Sequence, residues 1–415
     1  MPFSFQERRD ILKNIIERSL RTLNPSILVK NSSEKIRSFI GNSSFSILAT
    51  GKASVNMCRG IEQDILKKTS KAICLSPVGE DDPEGYVSLH GNHPYPDEDT
   101  LKSSLKIYNE LMEDKAEKLI YLLSGGSSSL FEIPADGISL EKYNFIMKRL
   151  ITENFSIDIT NSVRCRVSKI KCGKLLYKTK YREVLILAIS DVPDDKIYTI
   201  GSNPFYKPEV IGDIPDSIQK EFGISDEMEI GKESRIMPEY SIILSGSKYA
   251  EEVFNNFPVQ QDRFNFGQII KGDVELLAPE IMHLLRAKFN ETGKPFWFVA
   301  HGESTARVRG KGKGGRNSYL SSLILKNSDS NEIFSFISFA TDGADGNSGL
   351  AGFIVDEELR KTLDMKEIQS YIDSSNTAEL AMKSGTFIMT GPTGNNVSDV
   401  IFGYYGGKVV ENSVQ

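Results

Sequence analysis

The stretch VRGKGKGGRN, residues 308–317, sets four glycines and four basic side chains within ten positions of a chain whose formal net charge is −6. Glycines let backbone N–H groups come close to a ligand, and lysine or arginine adds charge, so such a segment suits phosphate oxygens. Gly310, Gly312 and Gly315 satisfy the spacing GxGxxG. Gly310 to Asn317 approaches the phosphate-loop pattern, with Arg316 and Asn317 where that pattern has Lys and Ser or Thr. Both matches are loose, because the preceding TARVR alternates and is charged where a dinucleotide fingerprint needs a buried strand. On this reading Gly312, Gly314, Gly315 and Asn317 line an anion site with Lys311, Lys313 or Arg316, and YLSSLILK directs a helix N-terminus at it. The plain alternative is a basic surface loop.

Other clusters invite the same double reading. SGGSSS, residues 124–129, offers unobstructed N–H groups and hydroxyls to a carboxylate or phosphate through Ser124, Gly125, Gly126 and Ser127, or is an ordinary turn. It is not a GxSxG nucleophile elbow. Lys52, in TGKAS, stands where a helix should begin; a lysine there opposes the helix dipole and calls for an anion unless it faces water. TDGADG sets Asp342 and Asp345 three apart. Paired carboxylates suit Mg²⁺ or the acceptance of a hydroxyl proton, whereas Asp-Gly is also a common turn. Asp191, in ISDVPDD, shares that ambiguity. His90 and His93 have HxxH spacing, but Pro94 follows at once and no third ligand cluster is near, so His93 reads as part of a rigid turn that touches substrate.

These residues need elements to position them. FSILAT (45–50), KLIYLL (118–123), VLILAIS (184–190), SIIL (241–244), FWFVA (296–300), FSFISFA (334–340) and TFIMT (386–390) are short apolar runs, each followed by a Gly, Ser or Asp loop. The pattern predicts buried strands of an α/β fold, with all seven loops at strand carboxyl ends, the edge where ligands bind in open α/β sheets. Near the N-terminus, Leu12, Ile15, Ile16, Leu20 and Leu23 repeat at helical spacing behind a capping box of Ser4 and Glu7. Between about 203 and 240 the pattern lapses into Pro- and charge-rich sequence, so the expected domains are 1–240 and 241–415.

Composition, with 39% hydrophobic and 26% charged residues, is that of an ordinary globular protein. The negative balance removes the attraction that drives non-specific nucleic-acid binding and favours a small anionic ligand. No apolar run has the length of a membrane span or a signal peptide, and Cys58, Cys74, Cys165 and Cys172 match no CxxC or disulfide framework. A cytoplasmic, reducing location is expected.

ATGKAS, GNHPYPD, LLSGGSSSLFEIPADGISL, NSVRCRVSKIKCGKL, ISDVP with IGSNP, VRGKGKGGRN, TDGADG and TGPTGNNVSD occur in the order and spacing of the glycerate 2-kinase family, some of whose members are labelled hydroxypyruvate reductases. The resemblance spans nearly the whole chain. It implies a larger Rossmann-like N-terminal domain and a smaller α/β C-terminal domain, with an active-site cleft between them. It also implies transfer of the γ-phosphoryl group of ATP, with Mg²⁺, to the 2-hydroxyl of glycerate. The family's functional positions fall on Lys52, Arg316, Asp342 and Asn396. Thr390, Gly391, Thr393 and Gly394 join Asn396 in holding substrate or phosphate, and Asp342 and Asp345 are the metal candidates. Partners other than glycerate and ATP are not implied, beyond an open option of a homodimer.

Departures from the family pattern are His301-Gly302-Glu303-Ser304 for a usual Gly-Gly-Glu-Thr, Arg164-Cys165-Arg166 for Arg-Lys-His, Cys172 and Asp194 each for Gly, and Lys196 for a second Asp. These bear on substrate preference. The alternative activity, an NAD(P)-dependent hydroxypyruvate reductase, rests on the GxGxxG match and the label. Asp329 and Glu332 lie at the distance of a ribose ligand but in a polar stretch that reads as a loop. A non-catalytic sensor of phosphorylated sugar acids would need the loops without Asp342.

Overall fold

The computed structural model describes residues 3–153, 155–192, 194–208, 211–225 and 237–408. Part of the Pro- and charge-rich segment before residue 240 lies outside the described residues. One sheet comprises β1 (Phe45–Thr50), β2 (Ala72–Pro77), β3 (Val87–Gly91), β4 (Lys118–Leu123), β5 (Glu183–Ile189) and β6 (Glu239–Leu244). Its order is β3-β2-β1-β4-β5-β6, with every neighbouring pair parallel. Helices cover both faces of such a sheet, which explains why β1 is buried at every residue and β5 at every residue after Glu183. Winding reverses between β1 and β4, and at that switch point the loops leaving neighbouring strands diverge and open a crevice.

A second sheet holds β7 (Asp262–Asp273), β8 (Phe296–Thr305), β9 (Glu332–Ala340), β10 (Gly352–Asp356), β11 (Phe387–Ile388) and β12 (Asp399–Lys408) in the order β11-β10-β9-β12-β8-β7. Among the described residues of this sheet only β7 and β8 pair in parallel. Because β8 and β9 both run antiparallel to β12, their carboxyl ends share an edge with the start of β12, where Asp399 pairs with Gly302 and Ala340.

All seven apolar runs contribute to strands, TFIMT only through Phe387–Ile388; β2, β3, β7, β10 and β12 were not anticipated. HGEST, expected as a loop after FWFVA, continues β8 to Thr305, because β7 supplies partners as far as Asp273.

Contacts divide the chain into Pro25–Leu244, which carries the first sheet, and Met1–Asn24 with Ser245–Gln415, which carries the second. The expected division kept the N-terminal helix with the first sheet, and here the structure differs. The helix Phe5–Thr22 has the anticipated capping box, with Glu7 N–H donating to Ser4 Oγ and Ser4 N–H to Glu7 Oε2. Its Leu12, Ile15 and Ile16 are buried. Arg8, 1% exposed, donates to Ser335 Oγ on β9 at 2.9 Å and pairs with Glu357, while Arg9 pairs with Asp356 at the end of β10. Helical periodicity shows that a face is buried and leaves open which sheet buries it.

A second correction concerns the cysteines. Cys165 and Cys172 form a disulfide, and Cys58 and Cys74 are free and buried. The chain turns between the end of the helix Ile157–Val167 and Cys172, whose φ of 59° bends the backbone back and leaves the two Cα atoms 5.6 Å apart.

Candidate active site

In the Pro25–Leu244 unit the switch-point loops follow β1 as Gly51-Lys52-Ala53 and β4 as Ser124-Gly125-Gly126-Ser127. They are stitched together. Lys52 N–H donates to Gly125 O at 2.9 Å, Ala53 N–H to Ser124 Oγ at 3.0 Å, and Ser124 N–H to Thr50 O at 3.0 Å. The serine hydroxyls serve the loop rather than a ligand: Ser127 Oγ lies 2.6 Å from Thr50 Oγ1, which is 2.7 Å from Tyr121 OH, in a buried cluster. The N–H groups of Gly125 and Gly126 are different. Both residues are buried, and among the described residues neither N–H has an acceptor. Unpaired buried donors are costly, and successive free N–H groups in a turn form an anion-binding concavity.

Charged side chains border that concavity. Cγ of Lys52 and Cδ2 of His93 would each stand 3.0 Å from a β-carbon placed on Gly126, and the Lys52 ammonium has no partner among the described residues. Partial burial, and secondarily the charge of Lys52, lower His93 to about 4, so its ring is neutral at pH 7. Asp191 closes the other side, where a β-carbon on Gly125 would meet its Oδ2 at 2.3 Å.

The other unit carries a cavity of about 720 Å³ at the edge where β8 and β9 end; Val308, Gly315, Arg316, Tyr319, Asp342 and Asp345 are among its lining residues. Arg316, the first residue of the helix Arg316–Asn327, makes a forked contact with Asp399, Nε to Oδ2 at 2.6 Å and Nη2 to Oδ1 at 3.2 Å, and a third contact with Glu303 at 2.5 Å. Asp399 is buried. Burial raises its carboxyl to about 7, against the opposing pull of Arg316. Asn317 is also buried; its Nδ2 donates to Asp399 and its Oδ1 accepts from Ser338 Oγ, so it positions the Arg316 partner and is not available to a ligand.

The two aspartates of TDGADG do separate jobs. Asp342 is half-buried, its Oδ1 accepts from Ala344 N–H at 3.0 Å, and its Oδ2 has no partner among the described residues. Asp345 is 1% exposed, and its two oxygens accept the N–H groups of Asn317 and Ser318 at 2.8 Å each. It braces the start of the helix, a structural role in place of the expected metal ligand. No cluster of three or more His, Cys, Asp or Glu suited to a metal occurs among the described residues.

The basic loop also departs from expectation. The N–H groups of Arg309, Gly312, Lys313, Gly314 and Gly315 are all donated within the protein, to Ser375, Ser374, Asn376, Asn347 and Ser318. Its glycines allow close approach to other backbone: a β-carbon on Gly312 would stand 2.6 Å from Asn376 Cα, and one on Gly315 2.2 Å from Asp345 Oδ1. The N–H groups of Gly310, Lys311 and Arg316 keep no acceptor among the described residues, so only part of the expected backbone cradle remains. Arg307 and Arg309 pair with Asp273 and Glu275, leaving Lys311 and Lys313 exposed and without side-chain partners among the described residues.

The loop Thr390–Asn396 is tied to TDGADG. Thr393 N–H donates to Asp342 O at 3.1 Å and Thr393 Oγ1 to Thr341 O at 2.6 Å, while Gly391 O and Thr390 Oγ1 crowd Gly343. Gly394 and Asn396 complete this loop; Asn396 is part-buried. Each unit thus gathers its own expected residues, Lys52, Ser124–Ser127 and Asp191 in one, Arg316, Asp342 and residues 390–396 in the other. Asp399 was missed by sequence reasoning; its signal was a lone carboxylate opening the apolar run VIFGYY.

A sheet of Rossmann order with free N–H donors at its switch point, and a second sheet whose edge presents Arg316 and Asp342 to a cavity, define an α/β protein equipped for small anionic ligands. Comparison with known proteins narrows that class. Residues 11–231 match the family model described as a domain of unknown function, DUF4147, and residues 296–399 match the MOFRL family. The chain is 33% identical to a glycerate 2-kinase of Picrophilus torridus over 97% of both chains. It is 26% identical to a putative hydroxypyruvate reductase of Agrobacterium vitis over 94% of this chain and 93% of that one. The crystal structure of a glycerate kinase from Thermotoga maritima superposes with a TM-score of 0.83 at 26% identity, covering 97% of this chain and 99% of the other. The chain belongs to the glycerate 2-kinase family.

Proposed function

We propose that the protein transfers the γ-phosphoryl group of ATP to the 2-hydroxyl of glycerate, giving ADP and 2-phosphoglycerate. Family membership supports the reaction, and the single structural observation that carries it is that Arg316 and Asp342, the latter with an uncommitted oxygen, line one cavity. Phosphoryl transfer depends on positioning and charge neutralisation more than on covalent chemistry by the protein. Lys52 and Arg316 neutralise phosphoryl oxygens, Arg316 being held at a fixed angle by Asp399 and Glu303. Asp342 orients the acceptor hydroxyl or takes its proton. The N–H groups of Gly125 and Gly126 hold a carboxylate or phosphate oxygen, and Asn396 with Thr390, Gly391, Thr393 and Gly394 completes the substrate contacts.

Mg²⁺ is bound typically by one or two carboxylates plus substrate phosphates, and the free Oδ2 of Asp342 fits that pattern where Asp345 does not. When bound, the ion would supply neutralisation of phosphate charge. Use of ATP supports a cytoplasmic location, which the Cys165–Cys172 disulfide does not favour, and among the described residues no helix is long and apolar enough to cross a membrane.

Purified protein given glycerate and MgATP is expected to form ADP and 2-phosphoglycerate, and given hydroxypyruvate and NADH to consume no NADH. NADH oxidation without ADP formation would replace this reading with the reductase one.

A further inference from the structure

Lys171 is fully buried and takes no part in the reaction outlined above. Its Nζ donates to Ser127 O at 2.8 Å and to Gly201 O at 2.9 Å, joining the loop after β4 to the loop after β5. The two loops touch there: at Gly201, with φ of 58°, a β-carbon would stand 2.8 Å from Ser127 Cβ. Lys171 faces the ring of Phe131 and the charges of Glu132 and Arg164. Glu132 is already occupied, accepting from Tyr143 OH, Ser168 Oγ and Ile133 N–H, so it lends charge without taking the ammonium away from the carbonyls. Burial lowers Lys171 to about 7.

Keeping an ammonium in such a place is costly, and an apolar residue would fill the space without that cost. Of the two carbonyls it holds, that of Ser127 adjoins the concavity. Ser127 directly follows Gly125 and Gly126, whose N–H groups have no acceptor among the described residues, and the other end of that turn is pinned by Ser124 to Thr50 O. The ammonium and the Thr50 contact hold the two ends of the turn, and Lys52 N–H, donating to Gly125 O, holds the peptide that carries the Gly126 N–H.

We infer that Lys171 is a positioning residue for the anion-binding turn, its ammonium orienting the Gly125 and Gly126 N–H groups through the carbonyls of Ser127 and Gly201. The inference rests on the kinase reading only for its assay. Substrate carboxylate and nucleotide phosphate share the chemistry this turn accepts, and separate measurements tell them apart.

Lys171→Met in the full chain should raise KM at least tenfold for one substrate, glycerate or MgATP, with kcat within threefold of wild type and the far-UV circular dichroism unchanged. The substrate whose KM moves is the one that supplies the anion. Gly201→Ala, which pushes on Ser127 from the same side, should raise the same KM, and it carries the test if Lys171→Met does not fold. Both KM values within twofold of wild type in a folded variant would overturn the inference, as would a fall in kcat alone. A wild-type protein without glycerate kinase activity would instead defeat the proposed function. Calorimetric titration of inorganic phosphate then reads the turn directly, with at least tenfold weaker binding to Lys171→Met expected and equal binding overturning the inference.

Discussion

Replacing Asp345 by alanine separates the two aspartates of TDGADG. The change removes the acceptor of two buried N–H groups, those of Asn317 and Ser318, residues 1% and 0% exposed. An unsatisfied buried donor costs about 1–3 kcal/mol, so the pair amounts to ~2–6 kcal/mol. Part is recovered because the carboxylate itself is disfavoured by burial, which raises its pKa, and a net loss of ~2–4 kcal/mol remains. Asp342→Ala gives up one hydrogen bond at a half-buried site, to Ala344 N–H, and should cost below ~1 kcal/mol. Urea unfolding followed by tryptophan fluorescence reads this difference, because the sole tryptophan, Trp297, is buried in β8 of the same unit. In steady-state kinetics the order reverses. Asp342→Ala should lower kcat by about 100-fold or more, equivalent to ~2.7 kcal/mol of transition-state stabilisation. An Asp345→Ala protein that unfolds within ~0.5 kcal/mol of wild type, or an Asp342→Ala protein with unchanged kcat, would refute the division of labour.

Ellman titration of the unfolded protein should count two thiols before reduction and four after it, and single Cys165→Ser should lower stability by ~2.5 kcal/mol, the chain-entropy cost for a closure of this size; four thiols before reduction would remove the cross-link from the native state. His93 should titrate by NMR near 4, well below the ordinary ~6.5. Its folded pKa is the lower one, so the unfolded chain takes up the proton first and His93 erodes stability as pH falls from about 6.5 to 4. Lys52→Met should raise that pKa, and an unshifted value would separate the two side chains.

Much of the architecture was legible locally. FSILAT and KLIYLL are too uniformly apolar to be half-exposed, and they form the central strands of the parallel sheet. Ser4 and Glu7 announced a helix start that the structure reproduces. β7 was illegible because it is an edge strand of mixed polarity, and β2 and β3 because charged and Pro-rich turns surround them. Among candidate site residues, Arg316 and Asp342 stood out as charged groups in loops beyond strand ends, and the structure brings both to one cavity. Asn317 and Asp345 were chosen by the same reasoning and proved to be internal braces.

Periodicity and turn chemistry act over a few residues, so the sequence by itself determined an α/β chain, the places where strands stop, and the collection of glycine, serine, lysine and aspartate at those stops. Whether a given N–H or carboxylate stays free is decided by partners far along the chain. VRGKGKGGRN has the composition of a phosphate cradle, yet residues 374–376 and 347 take up four of its backbone donors. SGGSSS resembles a plain turn, and only the packing of Thr50, Tyr121 and Lys171 around it consumes its hydroxyl and carbonyl groups while leaving the N–H groups of Gly125 and Gly126 without an acceptor among the described residues.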